Sequence, residues 1–156
     1  MATLYGNQYN SAYVTVPSEK IRPGDLDGEV RSMYFDITIA AAPSNNDTWN
    51  VGKLPKGARI MNAALQFPDL GTAGTLALGH DGGTNSGETA DDDAFITAVD
   101  ANAAADAASM QQQMEAGGSN AGYLKELADE VIIQVKTPTA FTVSSGTIKG
   151  FVTYVV

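Results

Sequence analysis

The stretch Gly57–Gly82 reads GARIMNAALQFPDLGTAGTLALGHDG, and its pattern decides the fold class. A turn at Leu54-Pro55-Lys56-Gly57 leads into Ala58–Phe67, where residues alternate along the chain. Successive side chains of a strand point to opposite faces, so a period of two signals a strand. On that register Met61, Ala63, Leu65 and Phe67 share one face with the Arg59 stem. Ile60, Asn62, Ala64 and Gln66 share the other. Pro68 lacks a ladder donor and ends the run. Asp69–Gly74 turns the chain, and Thr75–Gly79 begins a second strand with Leu76 and Leu78 inward.

Working outward, the same period recurs. Glu29–Ala40 sets Arg31, Met33, Phe35, Ile37 and Ile39 on one face and Val30, Ser32, Tyr34, Asp36 and Thr38 on the other. Thr48–Val51 is a short edge strand holding the single tryptophan, Trp49, which is expected to pack in the core. Glu130–Thr137 is a strand that Pro138 breaks, with Ala140–Ser144 as a short continuation. Gly146–Val156 is apolar or Thr-rich on both faces, which suits a central strand pairing with the Gly57–Gly82 unit. Seven or eight short strands separated by turns predict an all-β fold, a β-sandwich or jelly-roll-like domain. Helical segments are too few for a parallel βαβ sheet.

Two segments fall outside that pattern. Residues 1–28 carry Tyr5, Tyr9 and Tyr13, little charge, and the breakers Pro17, Pro23 and Gly24. They read as an extended N-terminal arm, with residues 29–156 as the sandwich domain; tyrosine suits an interface. Residues 80–129 read as a long Ala/Asp-rich insertion. His80–Asp93 (HDGGTNSGETADDD) is an exposed acidic loop. In Ala94–Ala116 the pairs Phe95/Val99, Ala103/Ala107 and Met110/Met114 sit four apart, which predicts a short helix stopped by Gly117-Gly118. Tyr123–Leu127 adds one further turn.

Composition bounds the function. At 156 residues the chain is one domain by length. It has no cysteine and one histidine, so disulfides and thiolate or multi-histidine zinc sites are excluded. No apolar run has the length or flanks of a membrane span or signal peptide. The net charge is −9, and residues 68–130 hold twelve acids against one base, Lys125. Such a surface repels phosphate, which argues against nucleic acid and anionic membranes as partners.

Few residues point to chemistry. Asp81, Glu88, Asp91, Asp92 and Asp93 could offer oxygen ligands to calcium, but the loop lacks the regular ligand alternation of a calcium motif. His80 beside Asp81 has no recognisable nucleophile or phosphate loop to work with. Met110 and Met114 suit either an adaptable surface or a filled core. No catalytic constellation stands out, and the expectation is a non-enzymatic protein without a cofactor.

The runs Leu54-Pro55-Lys56-Gly57-Ala58-Arg59-Ile60, Asp69-Leu70-Gly71-Thr72, Thr75-Leu76-Ala77-Leu78-Gly79 and Gly146-Thr147-Ile148-Lys149-Gly150-Phe151-Val152 carry a likeness. With the closing Tyr154-Val155-Val156, this pattern resembles tailed-bacteriophage capsid decoration (cement) proteins or related virion structural proteins. It covers residues 54–81 and 130–156. The resemblance implies a protein that binds the outer capsid surface and braces the head shell. Its partner would be the major capsid protein, and its copies would form a homo-oligomer, a trimer by preference. Tyr5, Tyr9, Tyr13 and Arg22 of the arm would contact the partner. The alternative is a carbohydrate-binding or receptor-binding module of a phage fibre or tail, using Trp49 or Tyr123 beside the acidic loop. An exposed Trp49 next to Asp81–Asp93 would favour it.

Overall fold

The structure, a computed structural model, describes residues 29–71, 74–83, 85, 87–102, 106–115, 123–143 and 145–156. Eight strands account for most of them. They are β1 (Val30–Ile39), β2 (Asp47–Leu54), β3 (Arg59–Phe67), β4 (Thr75–His80), β5 (Asp91–Asp100), β6 (Asp106–Ser109), β7 (Val131–Thr137) and β8 (Gly146–Val155). One short helix, α1 (Met110–Glu115), follows β6. No helix of the described residues is long and apolar enough to cross a membrane.

The pairing follows one rule. β1 pairs with β8, β2 with β7, β3 with β6 and β4 with β5, all antiparallel. The first four strands therefore run beside the last four as a single long ribbon, closed between β4 and β5. Rolling the ribbon lays β3 against β8 and β4 against β7. The result is two four-stranded sheets: sheet A in the order β1-β8-β3-β6, sheet B in the order β2-β7-β4-β5. Each sheet alone would leave an apolar face in water, so the two close on each other as a sandwich. Ile37, Ile39, Leu65, Phe67, Ile148 and Val152 of sheet A meet Leu54, Leu76, Leu78, Phe95, Ile133 and Val135 of sheet B in one buried cluster.

The sandwich expected from the alternation is thus present, and β8 lies between β1 and β3 as a central strand. The face assignment of β3 needs a correction. Ile60 pairs with Tyr154 and Asn62 with the adjacent Thr153, so Met61 is an extra residue on the β3 side. This bulge reverses the alternation. Ile60 is fully buried and Met61 is 40% exposed, the opposite of their expected faces.

The region read as a loop with a helix also differs. Residues 91–100 form β5, which pairs along β4 from Thr75↔Asp100 to His80↔Asp91. The spacing of Phe95 and Val99 fits a helix, but Phe95, Ile96, Thr97 and Val99 are aromatic or β-branched and favour a pleated edge. Residues 106–109 form β6 against Ala64–Phe67. Among the described residues helix is confined to α1, whose start is a capping box: Ser109 Oγ accepts the Gln112 N–H at 3.1 Å, and Gln112 Oε1 accepts the Ser109 N–H at 3.0 Å. Ala103 and the Gly117-Gly118 stop lie outside the described residues.

Tyr123–Leu127 does not form a helical turn. It runs beside the start of β3, with Leu124 donating to the Ile60 carbonyl at 2.8 Å and Leu127 to that of Ala58 at 2.9 Å. Ala140–Val143 is not a strand either. The Ala140 N–H goes to Asn45 Oδ1 at 2.6 Å, and Phe141 turns into the core.

Candidate functional site

Three places were singled out from sequence: the acidic loop with His80, Trp49, and the arm. The arm residues Tyr5, Tyr9, Tyr13 and Arg22 lie outside the described residues. The other two are positioned by sheet B, at its opposite edges.

The carboxylates of the loop are turned inward to hold backbone. Asp81 Oδ1 accepts the Ile132 N–H at 2.7 Å and the Gly83 N–H at 3.3 Å. Glu88 is buried; it pairs with Lys125 and accepts the Ala128 N–H at 2.9 Å. Burial pushes the Glu88 carboxyl up, but the Lys125 hydrogen bond, the Ala128 N–H and the Lys125 charge outweigh it and hold it below its ordinary value. Asp129 accepts the Asn85 N–H at 2.6 Å and the Asn85 side-chain amide at 3.1 Å. Those two bonds, with the N–H groups of Glu130 and Gly87, lower its carboxyl against the opposing effect of burial. The loop is therefore stapled to the segment preceding β7.

The remaining acids begin β5. Asp92 pairs with Lys136 of β7. Burial, then a hydrogen bond that the protonated Asp93 carboxyl donates to Asp91 and the charges of Asp91 and Asp92, raise the Asp93 carboxyl. Of the weak metal candidates, Asp91, Asp92 and Asp93 are together, whereas the Asp81 carboxylate is taken up by backbone. No group of three or more His, Asp or Glu side chains among the described residues is arranged to hold a metal ion.

His80 is fully buried and packs on Phe95, ring centroids 5.7 Å apart. Its Nδ1 lies 2.7 Å from the carbonyl of Asp81, so that nitrogen carries the proton and donates. Nε2 is buried without a hydrogen-bond partner. The contact is with the Asp81 backbone rather than its carboxylate, so the His-Asp pair conceived from sequence is not assembled.

Trp49 is half-buried on β2. It stacks on Phe141 with centroids 6.4 Å apart and planes 21° from parallel. It also borders an open groove of about 510 Å³ with Thr38, Pro43, Asn46 and Asp47. β2 and β5 are the two edges of sheet B, with β7 and β4 between them. Trp49 is thus held away from Asp91–Asp93, and the aromatic-plus-acid juxtaposition needed by the sugar-binding alternative is absent there.

The two outer faces differ in chemistry. Sheet B carries ion pairs and amides: Lys53 with Glu130 at 2.9 Å, Gln134 with Asn50 at 2.8 Å, and Lys136 with Asp92. Sheet A carries Tyr34 tilted against Phe151, centroids 6.2 Å apart, beside the short polar side chains Ser32 and Thr153. Tyr34 is 78% exposed. An exposed tyrosine among short polar side chains is a feature that alternation alone could have flagged, because Tyr34 falls on the outward register of β1.

No protein-family model matches this chain. No curated protein matches it by sequence. Solved structures do. A chain from the capsid of Ralstonia phage GP4 matches with a TM-score of 0.64 and 26% identity, over 84% of this chain and 86% of that one. A chain from the capsid asymmetric unit of cyanophage Pam1 matches with a TM-score of 0.64 and 18% identity, over 93% and 98% of the two chains. A chain from the acidic stable capsid of Helicobacter pylori bacteriophage KHP30 matches with a TM-score of 0.54 and 14% identity, over 81% and 87%. The last two likenesses are of fold alone. The structural neighbours of this sandwich are chains of phage capsids.

Proposed function

We propose that this chain is a virion structural protein of a bacteriophage, and within that class a decoration (cement) protein. It binds the outer surface of the head shell and braces it, with the major capsid protein as partner and with no catalytic step. The observation that carries the reading is the likeness to the Ralstonia phage GP4 capsid chain, which spans most of both chains at 26% identity. The rolled ribbon, read as a jelly roll, supports a mechanical role: its strands are tied into two four-stranded ladders around one buried apolar core. The acidic face of sheet B suits exposure to solvent, where like charge keeps particles apart. Residues 1–28, with Tyr5, Tyr9, Tyr13 and Arg22, supply contacts to partners. Association of copies, as trimers on this reading, would multiply individually weak contacts to the shell.

Co-sedimentation with assembled phage heads tests it. Saturable binding at a fixed ratio to the shell subunit is expected, with no change in the shell's own subunit count. Absence of binding at saturating protein would overturn it. The groove beside Trp49, with Asn46, Asp47 and Thr38 at its rim, keeps a fibre-type glycan-binding module as the second reading; a glycan screen read by Trp49 fluorescence decides between the two.

A further inference from the structure

The exposed apolar side chains are unevenly distributed. Among the described residues the large exposed hydrophobics are Val30, Tyr34, Met61, Tyr123, Leu124 and Val156. All sit on or beside sheet A, and none on sheet B. Five of them converge at one end of that sheet. Val30 pairs with Val155, which precedes Val156 and also faces Arg59. Tyr123 bridges to Ile60, next to Met61, and Leu124 donates to the Ile60 carbonyl. With strands about 4.8 Å apart, that end spans roughly 15 Å from Val30 to Tyr123. A contiguous exposed apolar patch marks an interaction site.

Residues 1–28 precede Val30, a member of this patch, by one residue in sequence. Their sequence has two halves. Met1–Ser18 contains no charged residue and holds Leu4, Tyr5, Tyr9, Tyr13, Val14 and Val16. Glu19–Gly28 contains Glu19, Lys20, Arg22, Asp25 and Asp27, with Pro23 among them. The charged half is a poor cover for valine and leucine. Extended, its ten residues span about 33 Å, which is also the length of a ten-residue strand. A linker of that length, if extended, would set the start of the uncharged half about one strand length from the patch of its own chain and within reach of a neighbour's.

Charge favours the same face. The strands of sheet B hold Asp47, Asp91, Asp92, Asp93 and Asp100 against Lys53 and Lys136. Those of sheet A hold Arg31, Arg59 and Lys149 against Asp36 and Asp106. In a chain of net charge −9, two copies meet with least repulsion through sheet A.

We propose that copies of this chain associate through this end of sheet A, with Met1–Ser18 of one copy laid across Val30, Met61, Tyr123, Leu124 and Val156 of the next. The inference rests on the reading of residues 1–28 as a partner-binding arm, and not on the head shell as its partner. Passing the arm from copy to copy is a head-to-tail contact, and a ring closes it.

Molar mass in solution, measured by light scattering, tests the association. The full chain is expected at a multiple of 16.2 kDa. A chain lacking Met1–Ser18, and the double variant Met61→Asp/Leu124→Asp, are each expected at the single-chain mass with unchanged melting. A full chain at the single-chain mass, or a double variant that keeps the multiple, overturns the proposal. Because the chain has no cysteine, mixing a Tyr9→Cys protein with a Leu124→Cys protein reports the contact with a smaller change to the patch than aspartate makes. A disulfide between the two proteins is expected. A chain carrying both cysteines that closes only on itself overturns the exchange between copies. Loss of head binding with the multiple intact removes the decoration reading and leaves this one standing.

Discussion

The carboxylate of Glu88 and the ammonium of Lys125 form an unequal ion pair: the acid is 6% exposed and the base 42%. The acid has left water and depends on its partners, whereas the base keeps much of its hydration. Removing the charge of Glu88 therefore strands little on the lysine side, but weakens the bond from the Ala128 N–H and loosens the loop that Glu88 holds.

Acid should weaken the fold for this reason. The Glu88 and Asp129 carboxyls are both held below their ordinary values, so the folded state binds fewer protons than the unfolded chain as pH falls. Their contribution is complete above the ordinary carboxylate range and is lost as pH drops through the lowered values. Urea midpoints measured from pH 7 to pH 3 should decline on the acid side of 4.5, the ordinary value for Glu88. Glu88→Gln should cost about 1–2 kcal/mol at pH 7 and flatten part of that decline. A decline of full size in Glu88→Gln would contradict this.

Asp93 has the opposite sign. Its carboxyl is raised by burial and by Asp91 and Asp92, so its ionised form opposes folding at neutral pH. Asp93→Asn should leave stability unchanged or raise it, by no more than about 0.5 kcal/mol at an exposed site. Thermal melts at pH 7 would register a clear loss if Asp93 were instead a needed ligand or partner.

Two glycines with crowded surroundings should differ in cost. A Cβ on Gly79 would meet only backbone, 2.1 Å from the Asp91 carbonyl oxygen and 2.3 Å from the Asp92 carbonyl carbon, whereas one on Gly150 would lie 2.4 Å from the Phe35 ring and 2.8 Å from the Ala64 carbonyl oxygen. Backbone cannot step aside as a side chain can. Gly79→Ala should therefore destabilise by about 2 kcal/mol or more, and Gly150→Ala by less. Equilibrium unfolding of the pair gives the ranking, and the reverse order would disprove the account.

The bulge in β3 makes a similar contrast. Ile60→Asp should abolish folding, since Ile60 is fully buried, while Met61→Asp should stay within about 0.5 kcal/mol of the parent. Circular dichroism of the two variants checks it. A strand without the bulge would reverse the outcome.

Trp49 reports on the opposite edge. Phe141→Ala removes the ring on which Trp49 stacks and empties part of the core, at a cost of about 3–5 kcal/mol. Trp49 emission should shift to the red in the folded variant. An unchanged spectrum would mean that the indole is held by something other than Phe141.

The sequence was legible wherever a strand kept strict period two against one core. β7 follows its alternation from end to end and β1 and β8 follow theirs over most of their length, with Ile37, Ile133 and Val152 buried where the pattern puts them; at the end of β8 the phase changes, and Val155 is buried while Val156 is exposed. The bulge at Met61 was not legible, because an extra residue exists only in relation to the count on β8. β5 was misread because Phe95 and Val99 satisfy helical spacing as well as an edge strand. The β-branched Ile96 and Thr97 between them were the signal to weigh, as was the Ser109–Gln112 capping box for the true start of the helix. The acidic loop was hidden for a different reason. Its carboxylates answer to residues far along the chain, Asp81 to Ile132, Glu88 to Lys125 and Asp129 to Asn85, and local spacing carries no trace of such partners.

The position of β8 between β1 and β3 has a consequence for how the protein is made. β1 and β3 leave the ribosome early, and neither has its main partner until β8, which follows every other strand in the chain. Closing the gap from β1 to β8 carries the entropy of a loop of about a hundred residues, and that from β3 to β8 of about eighty, so the centre of sheet A forms late. Until then the inner faces of β1 and β3 are open to solvent and to each other's copies. Any message cut short before β8 yields a chain in which β1 has no partner strand and β3 keeps only β6, so premature products should be cleared by proteolysis instead of entering an assembly as defective pieces.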